Sequence, residues 1–130
     1  MQRLHGRDAI FLYRETPTSL MHTLKVLLLS KADADAGYDY IYERLKERIN
    51  ADPVVRQRIL PVPFGLHHPV MVDDPDFDIS AHIFHAAIPA PGTMHELDKM
   101  VAQIGSTLLD RSRPLWEIWI LEGLENGQVA

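Results

Sequence analysis

The sequence predicts an α/β (α+β) fold, a mixed sheet with flanking helices, from three segments of different periodicity. Between Tyr38 and Ile49 the apolar side chains recur every three or four residues, which is typical of a helix with one buried face. A second amphipathic helix begins at Thr93, because Thr93 and Glu96 have the spacing of a capping box. The segment 115–121 is apolar on both alternating faces, which favours a central strand of the sheet.

Shorter patterns predict the remaining elements. Asp8 is placed to cap a helix over residues 9–13, and Pro17 prevents that helix from continuing. The aliphatic segment 22–29 is typical of a buried strand. Further expectations are a polar loop at 31–37, an edge strand at 59–62, a short strand at 70–72 and mostly extended chain over 77–88.

The last residues of the sequence predict a hairpin turn. Asn-Gly at 126–127 is the strongest short-range signal for such a turn. A hairpin needs a returning strand of several residues, and only Gln128, Val129 and Ala130 follow. From the sequence alone we therefore expect residues 1–130 to be a partial N-terminal domain, incomplete at its C-terminus.

Composition limits the classes of function. The net charge of −5 argues against a nucleic-acid partner, because phosphate binding needs a basic face. The absence of cysteine excludes disulfides and thiolate zinc sites, and it permits a reducing, cytoplasmic compartment. The longest aliphatic run, Val26–Leu29, is far shorter than a membrane span, so any membrane contact is expected to be peripheral.

His67 and His68 are the first candidates for chemistry. With Asp73 they suggest a base oriented by a carboxylate. The pair lies between two prolines, Pro63 and Pro69, in a predicted loop. A solvated or packed loop is therefore the favoured interpretation, and catalysis is the minor one.

Two further patterns do not reach the standard of a metal site. The alternating aspartates of 74–78 are similar to the start of a calcium loop, but Ile79 and His85 stand where glycine and glutamate are required. His82 and His85 are three residues apart on a predicted strand, so their side chains are expected on opposite faces. We predict no metal site.

Arg111, Arg113 and Trp116 surround a proline at a predicted helix–strand junction, where two interpretations stay open. The arginines could bind a phosphate of a large acyl donor. They could equally pair with Asp110 or Glu117.

Several blocks, taken in order, resemble the N-terminal part of the bacterial wax ester synthase/diacylglycerol acyltransferase family. The most specific block is Asp-Arg-Ser-Arg-Pro-Leu-Trp-Glu at 110–117. The next is Asp-Ala-Ile-Phe-Leu-Tyr at 8–13 with Glu-Thr-Pro at 15–17, and His5 stands where the family often has serine. Weaker matches lie at 73–78, His82, 89–92 and 121–124.

The resemblance implies one half of a two-half CoA-dependent acyltransferase-like (chloramphenicol acetyltransferase-like) fold with a tunnel between the halves. It also implies transfer of a fatty acyl group from acyl-CoA to diacylglycerol or to a long-chain alcohol. The family's catalytic motif is His-His-x-x-x-Asp-Gly, in which the second histidine is the base. His67-His68 departs from that motif by one extra residue before Asp73 and by the lack of glycine. No catalytic residue is therefore expected within 1–130, and the chain alone is expected to be inactive.

The resemblance carries over Pro114, Leu115 and Trp116 as residues tied to substrate binding or to the shape of the site. Arg111 and Arg113 join them as weaker candidates, and the alternative is that Leu115 and Trp116 pack a core strand. The expected co-substrate is acyl-CoA, with no separate cofactor. Expected partners are the acceptor lipid, the missing C-terminal half or a companion chain, and peripherally the inner membrane or lipid droplets. A stand-alone, non-catalytic lipid- or protein-binding module remains the alternative function.

Overall fold

The structure is a computed structural model that describes residues 2–30, 32 and 37–130. The chain divides into two compact units. Unit 1 comprises Met1–Thr23, Asp52–Phe77 and Leu108–Trp116, and unit 2 comprises Leu24–Ala51, Asp78–Thr107 and Glu117–Ala130. Helices and both parallel and antiparallel strand pairs are present, so the predicted mixed α/β class is confirmed. The polar loop predicted at 31–37 lies outside the described residues, apart from 32 and 37.

Unit 1 contains a three-stranded antiparallel sheet and one helix. Its elements are β1 (Gln2–Arg3), α1 (Gly6–Arg14), β2 (Gln57–Leu60) and β3 (Val70–Asp73). The strand order is β1-β3-β2. The strand predicted at 70–72 is confirmed as β3, and the edge strand predicted at 59–62 is confirmed as β2, shifted towards the N-terminus.

The start of α1 differs from the prediction. His5, not Asp8, is the N-cap: its backbone is extended and its Nδ1 accepts a hydrogen bond from the Arg7 N–H at 3.5 Å. Asp8 lies in the first turn, where its negative charge favours the positive end of the helix dipole. A short acidic side chain is suited to both positions, which is why the sequence alone misplaced the boundary.

Within residues 24–30, 37–51, 78–107 and 117–130, unit 2 contains two helices and a pair of parallel strands. Its elements are α2 (Gly37–Ala51), β4 (Ile83–Ala87), α3 (Met94–Gly105) and β5 (Ile118–Glu122). β4 and β5 pair in parallel. Both predicted helices are confirmed, and the Thr93 N–H donates to the Glu96 carboxylate at 3.1 Å as the capping box requires. The segment 77–88 is extended only from Ile83, because a 3-10 turn, Ile79–Ala81, precedes it.

The core of unit 2 lies where α3 covers the β4–β5 pair. Four buried side chains form it: Ile88, Leu97, Leu121 and Leu124. Leu97, on the inner face of α3, is only 1% exposed. No helix in the described part of the chain is long and apolar enough to cross a membrane.

The prediction of a buried strand at 22–29 is wrong. Within the described residues its only strand-type contact is a single bridge, in which the Leu29 N–H donates to the Val129 carbonyl at 2.8 Å. Leu24, Val26, Leu27 and Leu28 are 43–73% exposed. The aliphatic composition matched a strand, but a strand also needs a neighbour for each N–H and C=O, and the segment finds only one.

The turn predicted at Asn126-Gly127 is confirmed. Gly127 has φ +73°, and its N–H donates to the Leu124 carbonyl at 2.9 Å. After the turn, Ala130 and Leu121 exchange two backbone hydrogen bonds, of 2.7 and 3.0 Å. β5 therefore has β4 on one side and Ala130 on the other, which agrees with the predicted central position.

Candidate functional site

The loop 110–116, in unit 1, carries the five residues predicted to contribute to a substrate site, and its first turn is organised by Asp110. The backbone N–H and the hydroxyl of Ser112 donate to Asp110 Oδ1 at 2.9 and 2.7 Å. Arg113 donates to Asp110 Oδ2 through Nε and Nη2, at 3.1 and 3.0 Å. Hydrogen bonds from Ser112, then from Arg113, hold the pKa of Asp110 down at about 2. Of the two interpretations left open for Arg113, the structure shows the pairing with Asp110.

Arg111 makes a different contact from the two that the sequence suggested. Its Nη2 donates to the Leu12 carbonyl at 2.9 Å and to Glu15 Oε2 at 2.9 Å. The Leu12 carbonyl lies in the last turn of α1, where backbone acceptors have no partner within the helix. Arg111 therefore ties the loop to the end of α1 and pairs with neither Asp110 nor Glu117.

The Glu15 carboxylate is contacted by several groups of unit 1. Its side chain is only 10% exposed, and Oε1 accepts from the Met21 N–H at 3.2 Å and lies 3.9 Å from His22 Nδ1. Burial by itself would raise the pKa of Glu15, but the hydrogen bonds from Arg111 and Met21, with the charges of Arg111 and His22, hold it below its usual value. Glu15 is thus kept ionised by its neighbours.

Pro114, Leu115 and Trp116 end the loop. Pro114 is buried, whereas Leu115 and Trp116 are half-buried. The Trp116 Nε1–H donates to the Val55 carbonyl at 2.6 Å, and its ring lies 6.3 Å from that of Phe77. Neither Leu115 nor Trp116 belongs to β5, which begins at Ile118, so the start predicted for the strand at 115 is wrong by three residues. The Trp116 N–H bonds back to the Pro114 carbonyl at 2.9 Å in a tight turn, which delays the strand.

The loop is therefore fixed from several sides before any ligand binds. Arg111 reaches α1, Trp116 reaches the chain before β2, and Arg58 Nη1 donates to the Ser112 carbonyl at 3.3 Å. Such bracing fixes the backbone at the position of Pro114 and Leu115. The side chains of Arg111 and Arg113 remain 49% and 39% exposed. The arrangement can shape and hold a binding surface. Its one hydroxyl, that of Ser112, donates to Asp110, and a carboxylate with a pKa of about 2 is too weak a base to activate it.

The two histidines at 67–68 do not form a dyad with Asp73 in the described residues. The Tyr13 hydroxyl and His68 Nδ1 are 3.0 Å apart. The Asp73 carboxylate instead accepts from Gln57 Nε2 at 3.1 Å, across the β2–β3 pair. His68 therefore fastens its loop to α1, in agreement with the favoured interpretation of a packed loop.

His82 and His85 also lie apart in their surroundings. His82, just before β4, is buried at 2% exposure. His85, within β4, is partly exposed, stacks on Tyr38 with ring centroids 4.1 Å apart, and lies 2.5 Å from Glu122 Oε2 through Nε2. Among residues 2–30, 32 and 37–130 no group of three or more histidine, aspartate or glutamate side chains could hold a metal ion.

The sequence did not predict that His85, Glu122 and Tyr38 lie together. The parallel register places Glu122 beside Ala87, two residues along β4 from His85. Burial, and next the neighbouring Tyr42 and Asp39, raise the pKa of Tyr38. Alternation along the strands could have placed His85 and Glu122 on one face, but only the register makes them neighbours.

A comparison with protein families shows to which family this chain belongs. The family model of the wax ester synthase/diacylglycerol acyltransferase catalytic domain matches residues 4–130. The chain belongs to this family. The resemblance drawn from the blocks at 8–17 and 110–117 is thereby confirmed.

Curated relatives agree with this membership in the acyltransferase family. A putative diacylglycerol O-acyltransferase of Mycobacterium tuberculosis is 45% identical over 132 residues, covering 100% of this chain and 28% of the relative. The probable diacylglycerol O-acyltransferase tgs3 of the same organism is 37% identical, covering 98% of this chain and 47% of the relative. The chain thus spans between about a quarter and a half of the length of these relatives.

A solved structure shares the fold. The wax ester synthase/diacylglycerol acyltransferase from Marinobacter aquaeolei VT8 superimposes with a TM-score of 0.70 at 27% sequence identity. The match covers 99% of this chain and 31% of that structure. The predicted acyltransferase-like α/β fold is confirmed by this match.

Proposed function

We propose that these 130 residues serve an O-acyltransferase that moves a fatty acyl group from acyl-CoA to diacylglycerol or to a long-chain alcohol. The observation that carries the proposal is the match of residues 4–130 to a family named for these two activities. In the proposed reaction the acceptor hydroxyl attacks the thioester carbonyl and the carbon–sulfur bond breaks. A general base removes the hydroxyl proton, and CoA leaves as the thiol. Acyl-CoA is a co-substrate, and we propose no separate cofactor.

Within that enzyme we propose a binding role for the loop 110–116, not a catalytic one. Pro114, Leu115 and Trp116 contribute to the wall of the substrate site, and Arg111 and Arg113 hold the loop that carries them. The contacts of Arg111 with Glu15 and of Arg113 with Asp110 support this division, because both guanidinium groups already have carboxylate partners. The base comes from a His-His-x-x-x-Asp-Gly motif, which residues 1–130 do not contain.

The 130 residues by themselves are then expected to be inactive and to need the remaining half of the site, whether in the same polypeptide or in a companion chain. We propose that they form a partial N-terminal acyltransferase domain. We also propose a cytoplasmic enzyme that works peripherally at the inner membrane or at lipid droplets, since its acceptors are lipids.

The test compares the 130-residue chain with the complete product of its gene. Each is purified and incubated with labelled palmitoyl-CoA and either diolein or hexadecanol, and products are separated by thin-layer chromatography. The expected result is triacylglycerol or wax ester from the complete product and none from the 130 residues. Clear turnover by the 130 residues alone would show that the base lies within them and would overturn the proposal.

The second candidate is a non-catalytic lipid- or protein-binding module derived from the same fold. Such a module would not need the catalytic motif, which residues 1–130 do not contain. The nucleotide sequence after the codon for Ala130 separates the two candidates. A reading frame that continues into His-His-x-x-x-Asp-Gly supports the enzyme, whereas a stop codon followed by unrelated sequence supports the module.

A further inference from the structure

The turn formed by residues 63–66, here called the apolar tip, carries the most exposed large apolar side chain among the described residues. Phe64 is 96% exposed and Leu66 is 72% exposed. Between them, a Cβ built on Gly65 would have no atom within 4 Å. The apolar tip therefore projects away from the rest of unit 1, and neither side chain contributes to a core.

Phe64 adopts an unfavourable backbone conformation to occupy this place. The Gly65 N–H donates to the Val62 carbonyl at 3.2 Å, which closes a four-residue turn with Phe64 in its third position. Phe64 has φ +59°, in the left-handed region where such turns normally carry glycine or asparagine. An aromatic residue that is both strained and solvated gains nothing for folding, so a contact outside the chain is the natural explanation.

The base of the apolar tip is firmly held. The Leu4 N–H donates to the Pro69 carbonyl at 2.9 Å, and His68 Nδ1 lies 3.0 Å from the Tyr13 hydroxyl. A Cβ on Gly6 would lie 3.2 Å from His68 Nε2, so α1 and the tip loop approach closely there. These contacts fix the end of the loop that carries the tip, which lowers the ordering needed when it binds.

The chain on either side of the apolar tip contains no carboxylate that would repel an anionic surface. No acidic residue occurs from Pro53 to Val72. Of the two arginines in that segment, Arg58 already contacts Asp74 and the Ser112 carbonyl. Acidic residues outnumber basic ones in the chain, 18 to 13, so a stretch of twenty residues without one is a local exception.

The small size of the apolar tip favours a lipid surface over a separate protein as its partner. One aromatic and one leucine side chain cover on the order of 300 to 400 Å² when buried. A stable protein interface needs about 800 Å² from each partner. A lipid surface accepts an isolated apolar wedge, because the acyl-chain boundary surrounds it on all sides. We propose that the apolar tip inserts Phe64 and Leu66 into a lipid surface and so fixes unit 1 to it.

This inference rests on the proposed peripheral location and adds the residues responsible. The test is flotation of the 130-residue chain with vesicles of phosphatidylcholine and phosphatidylglycerol in a density gradient, in which aggregates sink and vesicle-bound protein rises. The double variant Phe64→Asn/Leu66→Ser removes both apolar side chains, and asparagine tolerates the positive φ. The expected result is at least about a tenfold lower partition coefficient for the double variant.

The matched control is the double variant Tyr40→Asn/Leu27→Ser, which removes two exposed apolar side chains of unit 2, 52% and 73% exposed. It should rise with the vesicles as the unchanged chain does. Circular dichroism and thermal unfolding verify that both variants fold.

Three results would overturn the inference. If the tip variant rises as well as the unchanged chain, the tip is not the contact, although the peripheral location survives. If the unchanged chain does not rise with the vesicles, both ideas fail for these residues. If light scattering shows an oligomer that only the tip variant dissolves, and nothing rises, the tip binds a second copy of the chain.

Discussion

The interactions that stabilise unit 1 differ from those that stabilise unit 2. Among the described residues, nine alanine, valine, leucine and isoleucine side chains are buried, and only Ala9 of these belongs to unit 1. Unit 1 relies instead on polar contacts across long sequence separations, such as Arg111 with Glu15 and Trp116 with Val55. The apolar burial in unit 2 depends little on pH or salt, whereas the ionic contacts of unit 1 depend on both.

The two units also differ in net charge. Unit 1 has seven basic and seven acidic residues, whereas unit 2 has six and eleven and so carries the whole net charge of −5. The neutral unit also contains the candidate loop 110–116 and the apolar tip. The comparison teaches that the candidate functional surfaces lie in the unit with the weaker core, as expected where ligand contacts must compete with internal packing.

The largest effect is expected from Leu97→Ala. Leu97 is 1% exposed at the centre of the unit 2 core, so the change should lower the free energy of unfolding by about 3 kcal/mol. Hydrogen exchange followed by mass spectrometry should show faster exchange in peptides of unit 2. Leu27→Ala, at a leucine that is 73% exposed, is the control and should cost under about 0.5 kcal/mol. A small loss for Leu97→Ala would mean that burial does not hold unit 2.

Glu15→Gln should produce the next effect, confined to unit 1. It removes the charge that Arg111 and the Met21 N–H stabilise, at a cost of about 1 to 2 kcal/mol. Glu47→Gln is the matched control, because the Arg44–Glu47 pair is exposed on α2 and should contribute almost nothing. Faster exchange should appear in peptides of α1 and of the loop 110–116. Equal effects for the two variants would remove the distinction between the units.

Acid should reveal the same contact. The pKa of Glu15 in the folded chain lies below its ordinary value of 4.5. The contact is therefore fully present above about pH 4.5, and its stabilisation is lost as the pH falls through the lower folded-state pKa. Unit 1 should begin to exchange faster than unit 2 in that range. In Glu15→Gln this part of the pH dependence should disappear, and its persistence would point to another carboxylate.

Trp116→Phe should cost less, with about 1 kcal/mol from the loss of the indole N–H that donates to the Val55 carbonyl; the smaller ring is a loss that the control shares. Trp119→Phe is the matched control, since the Trp119 N–H donates to Glu117, a partly solvated acceptor, and phenylalanine preserves the stacking on Phe84. Thermal unfolding of the two variants gives the difference. A larger loss for Trp119→Phe would show that packing around the indole, and not the hydrogen bond, dominates.

The sequence predicted well those features that residues close together in the chain determine. The helices α2 and α3 and the turn at Asn126-Gly127 were predicted because periodicity, a capping box and a turn dipeptide act within a few residues. The strand at 22–29 failed because its composition was right but its pairing depends on distant chain.

The same distinction between local and distant contacts applies to the candidate site. Local sequence identified the loop and offered Asp110, three residues away, as one possible partner of Arg113, which the structure shows. It could not identify the partner of Arg111, because Glu15 lies 96 residues away. It also gave no sign that Phe64 is exposed, since an aromatic residue between apolar neighbours reads as a core residue.

The smallest effect tests the N-cap of α1 and should be a gain. His5 accepts the Arg7 N–H at 3.5 Å, the limit of a hydrogen bond. A serine hydroxyl reaches the first-turn N–H groups more closely, so His5→Ser should stabilise unit 1 by about 0.5 kcal/mol. His5→Ala, which has no acceptor, should lie below the unchanged chain. Thermal unfolding and exchange of α1 peptides give the order, and if serine were no better than alanine, α1 would depend on its packing in unit 1 and not on its cap.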